Sequence, residues 1–159
     1  MTVGSLQWFG PADPNDRRHL MNACDAIGPP AVVEAARAAP QELRRIVFVS
    51  WNMHEGRGDL TRLVDDLHAE AAVLLVQEAV RGIRTIAESR GWSAIYVPSM
   101  MNGPKGRAQA LETADRGCAI VSTLPLSNPI AIELPWVYQR RVAVAATVTA
   151  VKDGEPLAL

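Results

Sequence analysis

Two apolar runs on either side of an amphipathic segment constrain this chain more than any other feature. Ile46-Val47-Phe48-Val49-Ser50-Trp51 is β-branched and aromatic, which predicts a strand buried on both faces or nearly so. A polar, glycine-bearing loop follows over Asn52–Gly58. Asp59 stands where a helix cap belongs, and Leu60, Leu63, Val64 and Leu67 recur at i, i+3, i+4 and i+7. A second apolar run, Ala72–Val76, ends abruptly in Gln77-Glu78. Strand, helix and strand over about 30 residues make a βαβ unit whose two strands run parallel. Asn52 and Glu78 then both fall at carboxyl ends of strands, side by side on one rim. Rims of this kind are where α/β architectures bind ligands.

The rest of the chain extends the pattern. After Arg81-Gly82 a helix is expected to Arg90, then Gly91 and a short strand near Ser93–Val97. Residues 98–116 carry Pro98, Asn102, Gly103, Pro104 and Gly106 and read as a long loop, functional or mobile rather than structural filler. Gly117–Ser122, Ile130–Leu134 and Arg141–Val151 read as further strands, with Pro125 ending the first. Lys152-Asp153-Gly154-Glu155 reads as a hairpin turn, since Asp-Gly accepts positive φ, and Pro156–Leu159 as the returning strand. A returning strand of four residues leaves an apolar edge open, which reads as an incomplete domain that would aggregate or stay partly unfolded. Ahead of the βαβ unit, residues 1–16 read as a loose tail. Asp16–Ile27 and Ala31–Ala39 read as two short helices, stopped by Gly28-Pro29-Pro30 and by Pro40. The expected organisation is therefore an amino-terminal segment over 1–45 and one α/β domain over 46–159.

Composition excludes little beyond this. The chain has 159 residues with a formal net charge of -1, so no global positive field draws it to nucleic acid or an anionic membrane. Its cysteines, Cys24 and Cys118, lack the spacing and partners of a structural zinc site. No basic start followed by an apolar stretch marks a signal peptide, and no run of about 18 apolar residues marks a membrane span. The expectation is a cytoplasmic protein with no obligate protein partner.

Asn52 and Glu78 are the best-placed residues for chemistry. A strand-end carboxylate suits a hard cation such as Mg²⁺, and an amide beside it can orient that carboxylate or a phosphate oxygen. From spacing alone, a loop cap at Asn52 and a solvated acid at Glu78 fit as well. His54 lies over the same rim, where it serves either a phosphate or the turn itself. Arg57, the Lys105/Arg107 loop, and Arg140 or Arg141 are candidates for phosphate contacts, because guanidinium forks match phosphate. Trp92, Trp136 and Tyr138 offer stacking or edge packing. The loop after the first strand has neither GxGxxG nor GxxxxGK[ST], which argues against a doubly wound nucleotide-binding domain.

Val49-Ser50-Trp51-Asn52-Met53-His54-Glu55-Gly56 resembles the opening motif of the endonuclease/exonuclease/phosphatase (DNase I-like) superfamily, an apolar strand followed by W/Y-N-I/M-H-x-G. Val73-Leu74-Leu75-Val76-Gln77-Glu78 is similar to its second motif, a strand ending in Q-E. Asp115–Leu126 resembles the third block, G-N-A-I-L-S-x-x-P-L, and Gln139–Val144 the strand after it. The resemblance covers roughly residues 46–159.

It implies a two-sheet α/β sandwich, here partial, with a metal and phosphate site between the sheets at one end. It implies Glu78 as ligand of Mg²⁺ or Mn²⁺, with Asn52 holding the metal and phosphate region. The implied activity is divalent-metal-dependent hydrolysis of a phosphodiester or phosphomonoester, such as nucleic acid, a nucleotide, an inositol phosphate or a phospholipid headgroup. The family's later motifs, a T-H-L histidine, a G-D-x-N pair and a D-H pair, have no counterpart here, and Cys118 replaces the third block's asparagine. An incomplete, inactive hydrolase fragment is thus expected. The alternative is a non-catalytic phospholigand-binding or scaffold module of the same fold.

Overall fold

The computed structural model describes residues 7–9, 31–34, 45–54, 56–101, 115–134, 141–152 and 155–158. In chain order these form β1 (Gln7–Phe9), β2 (Ala31–Val33), β3 (Ile46–Asn52), α1 (Leu60–Asp66), β4 (Ala71–Val80), α2 (Ile83–Arg90), β5 (Ser93–Met101), β6 (Asp115–Ser122), β7 (Leu126–Leu134), β8 (Arg141–Lys152) and β9 (Glu155–Ala158). The strands assemble into a five-stranded sheet, ordered β2-β5-β6-β4-β3, and a second sheet ordered β1-β7-β8-β9. The chain is a mixed α/β protein built mostly from strands.

The βαβ unit forms as its sequence dictates. β3 and β4 pair in parallel from Ile46↔Ala71 to Asn52↔Gln77. Asp59 caps α1, its carboxylate accepting from the Arg62 N–H over 3.0 Å. The connecting loop is anchored by Met53, which is buried, donates its N–H to the Gln77 carbonyl at 2.9 Å, and accepts from the N–H groups of Arg57 and Gly58. A Cβ on Gly58 would collide with the Trp51 indole, so the loop folds back over that ring only because this position is glycine.

The continuous apolar run of β4 follows from burial on both faces. Ala72, Leu74 and Val76 join Ala94, Tyr96, Ala119 and Val121 in a core covered by Leu60, Leu63, Val64, Ile83 and Ala87 of the two helices. On the opposite face, Ala71, Val73 and Ile120 pack against Val148 and Ala150 of β8, and Ile95 and Val97 against Ala131 and Val142. The molecule is thus layered helix, sheet, sheet. At about 25 cal/mol per Å² of apolar area, this two-sided burial makes β4 the element on which both cores depend. The second sheet covers Ala71 and Val73 of β4 but leaves Leu75 41% exposed and Phe48 of β3 53% exposed, so β3 is not the strand buried on both faces that its sequence predicts.

The turn Thr123–Pro125 carries the chain from one sheet to the other without orphaning buried polar groups. The Thr123 N–H donates to the Ala72 carbonyl, and the Ala72 N–H to the Thr123 hydroxyl, both at 3.0 Å. Ser122 and Ser93, both buried, accept from the Leu124 and Leu126 N–H groups.

Three further expectations are corrected. Ala31–Val33, expected to open a helix, is a strand pairing antiparallel with β5. The adjacent β-branched Val32 and Val33 favour that pairing once β5 offers an edge. Part of the expected loose tail, Gln7–Phe9, is a parallel strand beside Ile130–Ile132. The long loop is shorter than expected at both ends, because Pro98–Met101 and Asp115–Arg116 continue the β5–β6 ladder past an irregularity. The helix expected over Asp16–Ile27 lies outside the described residues, as do Arg140, Trp136, Tyr138 and the Lys105/Arg107 loop. No helix among the described residues is long and apolar enough to cross a membrane.

Candidate functional site

The central strands deform at one level of the sheet. β4 leaves its register with β6 between Val76 and Ala79, so Gln77 and Glu78 form a bulge. β5 leaves its register with β6 between Pro98 and Met100, which sets Ser99 in a second irregularity. Both flank Gly117, whose partners are Ala79 on one side and Pro98 on the other. A Cβ at Gly117 would collide with the Val97 carbonyl oxygen and stand 2.8 Å from the Pro98 Cα. Glycine is what lets the neighbouring strand close in here. Bulges bend a strand and re-aim side chains, and they concentrate next to functional sites.

Glu78 carries the deformation in its backbone. Its φ of +50° is left-handed, a conformation that costs a non-glycine residue about 1–2 kcal/mol. A regular strand would have alternated Gln77 and Glu78 across the sheet. With the bulge, both line a cleft of about 270 Å³ together with Asn52, Ser99, Met100, Arg116, Gly117, Cys118, Arg141 and Val142. Residues from β3, β4, β5 and β6 meet there with the first residues of β8, so the cleft opens where the two sheets meet at one end.

Asn52 reaches the cleft from the end of β3, in register with Gln77. Its Oδ1 accepts the His54 N–H at 2.8 Å, a local turn that fixes the side chain. The Gln77 amide is tied back to the Ser50 hydroxyl at 3.3 Å and the Leu75 carbonyl at 3.0 Å. On the facing side, an Arg116 Nη1 stands 4.0 Å from a carboxylate oxygen of Glu78, both groups partly exposed. The other terminal nitrogen of Arg116 donates to the Met100 sulfur at 3.3 Å. The Ser99 hydroxyl donates to the Arg116 carbonyl at 3.0 Å, bracing the second irregularity. Cys118 links the sheets: its thiol donates to the Val142 carbonyl at 3.3 Å, and burial pushes its pKa up.

The structure therefore gathers some of the residues nominated from sequence and leaves others apart. Asn52 and Glu78 line one cleft, and Arg141 joins them. His54 and Arg57 are exposed on the β3–α1 loop and do not line it; the Arg57 guanidinium lies 3.3 Å from the His54 ring nitrogen. Trp92 packs on the helix side, with the Arg90 guanidinium 5.6 Å from its ring centre. Sequence reading missed Arg116 and Ser99. The available signal was Gly117: a glycine inside a strand marks a close backbone approach or a bulge, and its neighbours are then the residues re-aimed.

The donors present bear on which cation the cleft suits. Among the described residues no three or more His, Cys, Asp or Glu side chains converge, which fits neither a structural zinc nor a calcium cage. One carboxylate with neighbouring amide oxygens does fit Mg²⁺ or Mn²⁺, which keep most of their waters and take one or two protein carboxylates.

Comparisons with protein-family models, curated proteins and solved structures find no match to this chain.

Proposed function

We propose that this chain carries the cation- and phosphate-binding part of a divalent-metal-dependent phosphoesterase of the DNase I-like kind. The observation that carries the reading is the convergence of Asn52, Glu78, Arg116 and Arg141 on one cleft at the strand ends. Three blocks that resemble the superfamily's motifs support it, because each supplies a residue to this cleft: Asn52, Glu78 and Gly117-Cys118.

Within this reading Glu78 is the carboxylate for Mg²⁺ or Mn²⁺. Asn52, held by its bond to the His54 N–H, presents an amide toward the phosphoryl group. Arg116 and Arg141 give the anion two guanidiniums, whose forked donors suit phosphate oxygens. A cation bound there would offset the charge that builds on the phosphoryl oxygens during hydrolysis. The sequence has no T-H-L, G-D-x-N or D-H motif, so no residue of the chain is assigned to positioning the water. The 159-residue chain is accordingly expected to bind the cation and phosphate with little or no turnover.

Calorimetric titration with Mn²⁺ tests this. Binding by the native chain that falls at least about ten-fold in Glu78→Gln, an ordinary loss for one ligand of a small site, supports the assignment. Equal binding by the two proteins refutes it. Cation-independent phosphate binding would instead favour the phospholigand-binding module.

A further inference from the structure

β3 is the outermost strand of the five-stranded sheet, and among the described residues no strand pairs with its outer side. The Met53 N–H donates to the Gln77 carbonyl, so the odd-numbered residues of β3 turn their backbone groups toward β4. The N–H and C=O groups of Ile46, Phe48, Ser50 and Asn52 therefore face outward. Soluble proteins guard such edges with charge, proline, a bulge or short length. β3 has none of these guards: its seven residues, Ile46–Asn52, keep an unbroken register and include no charge and no proline. The other outermost strands are guarded, β1 and β2 by a length of three residues and β9 by Pro156.

We propose that β3 is a homodimerisation edge, pairing antiparallel with β3 of a second copy about a two-fold axis at Val49. This holds with or without the phosphoesterase reading. In this register Phe48 of each copy stands opposite Ser50 of the other, and the two exchange hydrogen bonds because their backbone groups face outward. Ser50 is the ladder partner of Leu75 and Phe48 that of Val73, so all four side chains share the face toward the second sheet. Phe48 is 53% and Leu75 41% exposed there. A row across the dimer then runs Leu75, Ser50, Phe48 of the second copy. Leu75 and that phenylalanine lie two strand spacings apart, about 10 Å, with only the small Ser50 between them. The ring lies over the serine and reaches the leucine. The two Phe48 side chains are diagonal neighbours, about 7–8 Å apart and within aromatic reach. One pairing thus covers both exposed apolar side chains of each copy.

Charge favours a second copy in this orientation. The strand carries no charge, so it meets its own copy without repulsion. Arg45, exposed just before β3, would abut Arg45 of the second copy in a parallel pairing. Antiparallel pairing sets the two about 26 Å apart, at about 3.3 Å per residue. A second copy also brings Phe48 and Ser50 at matching spacing, which an arbitrary extended peptide does not. The area is small: seven residues a side with one aromatic anchor fall short of the ~1,200 Å² at which standard interfaces begin. The dimer is accordingly weak, with a dissociation constant between about 1 µM and 1 mM.

The test is sedimentation velocity on the whole chain from about 1 µM to 1 mM. The native chain is expected to pass from monomer to dimer and stop there, because two-fold pairing closes the edge. Phe48→Lys and Phe48→Glu should each weaken dimerisation at least about ten-fold, and an equimolar mixture should regain it, since opposite charges then meet diagonally. Amide hydrogen exchange at the two ends of the concentration range needs no variant. The Phe48 and Ser50 amides should gain protection with concentration, while those of Val49 and Trp51, turned toward β4, should not. A native chain that stays monomeric overturns the proposal and leaves the edge to an extended segment of another protein. Growth past the dimer without a dimer plateau overturns it too, as does a dimer whose Phe48 and Ser50 amides gain no protection. A mixture that associates no better than its components overturns the antiparallel register. Circular dichroism melts identify a variant that has lost its fold, and the hydrogen-exchange comparison on the native chain then decides alone.

Discussion

Gly117 and Val97 approach so closely across the β5–β6 ladder that a Cβ on Gly117 would overlap the Val97 carbonyl oxygen. The obstacle is backbone on a central strand, so it cannot yield by a side-chain rotation. Gly117→Ala is expected to destabilise the fold by about 3 kcal/mol, the upper end of overpacking costs. It should also widen the β5–β6 spacing beside Ser99 and Arg116. Urea unfolding monitored by circular dichroism measures the first effect. Wild-type stability for this variant would show that the strands separate without cost.

Leu74 and Leu75 are chain neighbours with opposite fates. Leu74 is fully buried under the helices, whereas Leu75, on the opposite face beyond Val73, is 41% exposed where the second sheet leaves it uncovered. Leu74→Ala should cost about 2–5 kcal/mol, and Leu75→Ala about 1 kcal/mol or less. Paired thermal melts decide this, and similar losses from both would mean that the uncovered face is packed in solution.

The β3–α1 loop is expected to act through its backbone. His54 has a φ of +49° and an exposed ring, and its N–H satisfies Asn52. His54→Gly should keep stability within about 1 kcal/mol and leave phosphate binding intact, while a β-branched His54→Val should cost about 1–2 kcal/mol. Asn52→Ala removes the acceptor and should loosen the loop, and Asn52→Asp should keep it. Loss of phosphate binding in His54→Gly would return the imidazole to the site.

Cys118 should respond to pH in a defined direction. Burial raises its thiol pKa above the usual value of 9.0, because the apolar wall disfavours thiolate. The folded state then holds the proton more tightly than the unfolded state. The stability this contributes is complete below about pH 9, and it is lost as pH rises through the higher folded value. In a Cys24→Ser background, iodoacetamide should modify Cys118 slowly at neutral pH. Cys118→Ser should flatten the alkaline loss of stability.

Much of the first sheet was legible in the sequence because its signals are local. The 46–52 and 71–76 runs, the Asp59 cap and the helical spacing after it each rest on residues a few positions apart, whereas Glu78, expected beside Asn52 at a strand end, lies in a bulge inside β4 and it is Gln77 that pairs with Asn52. The strands at Gln7–Phe9 and Ala31–Val33 were not legible, because three residues carry little propensity and their pairing depends on edges supplied far along the chain. Arg116 was hidden for a related reason. Alternation along β6 assigns it no special role, and only the irregularities of two neighbouring strands, which pair with it from positions 36 and 16 residues earlier at Val80 and Met100, bring it to Glu78.

The measurement closest to the central claim is paramagnetic broadening of amide NMR signals by substoichiometric Mn²⁺. The expected result is broadening confined to Asn52, Gln77, Glu78, Ser99, Arg116, Gly117 and Cys118, abolished by Glu78→Gln. Broadening centred instead on the exposed carboxylates of α1, Asp65 and Asp66, or unchanged by Glu78→Gln, would contradict a cation site in this cleft.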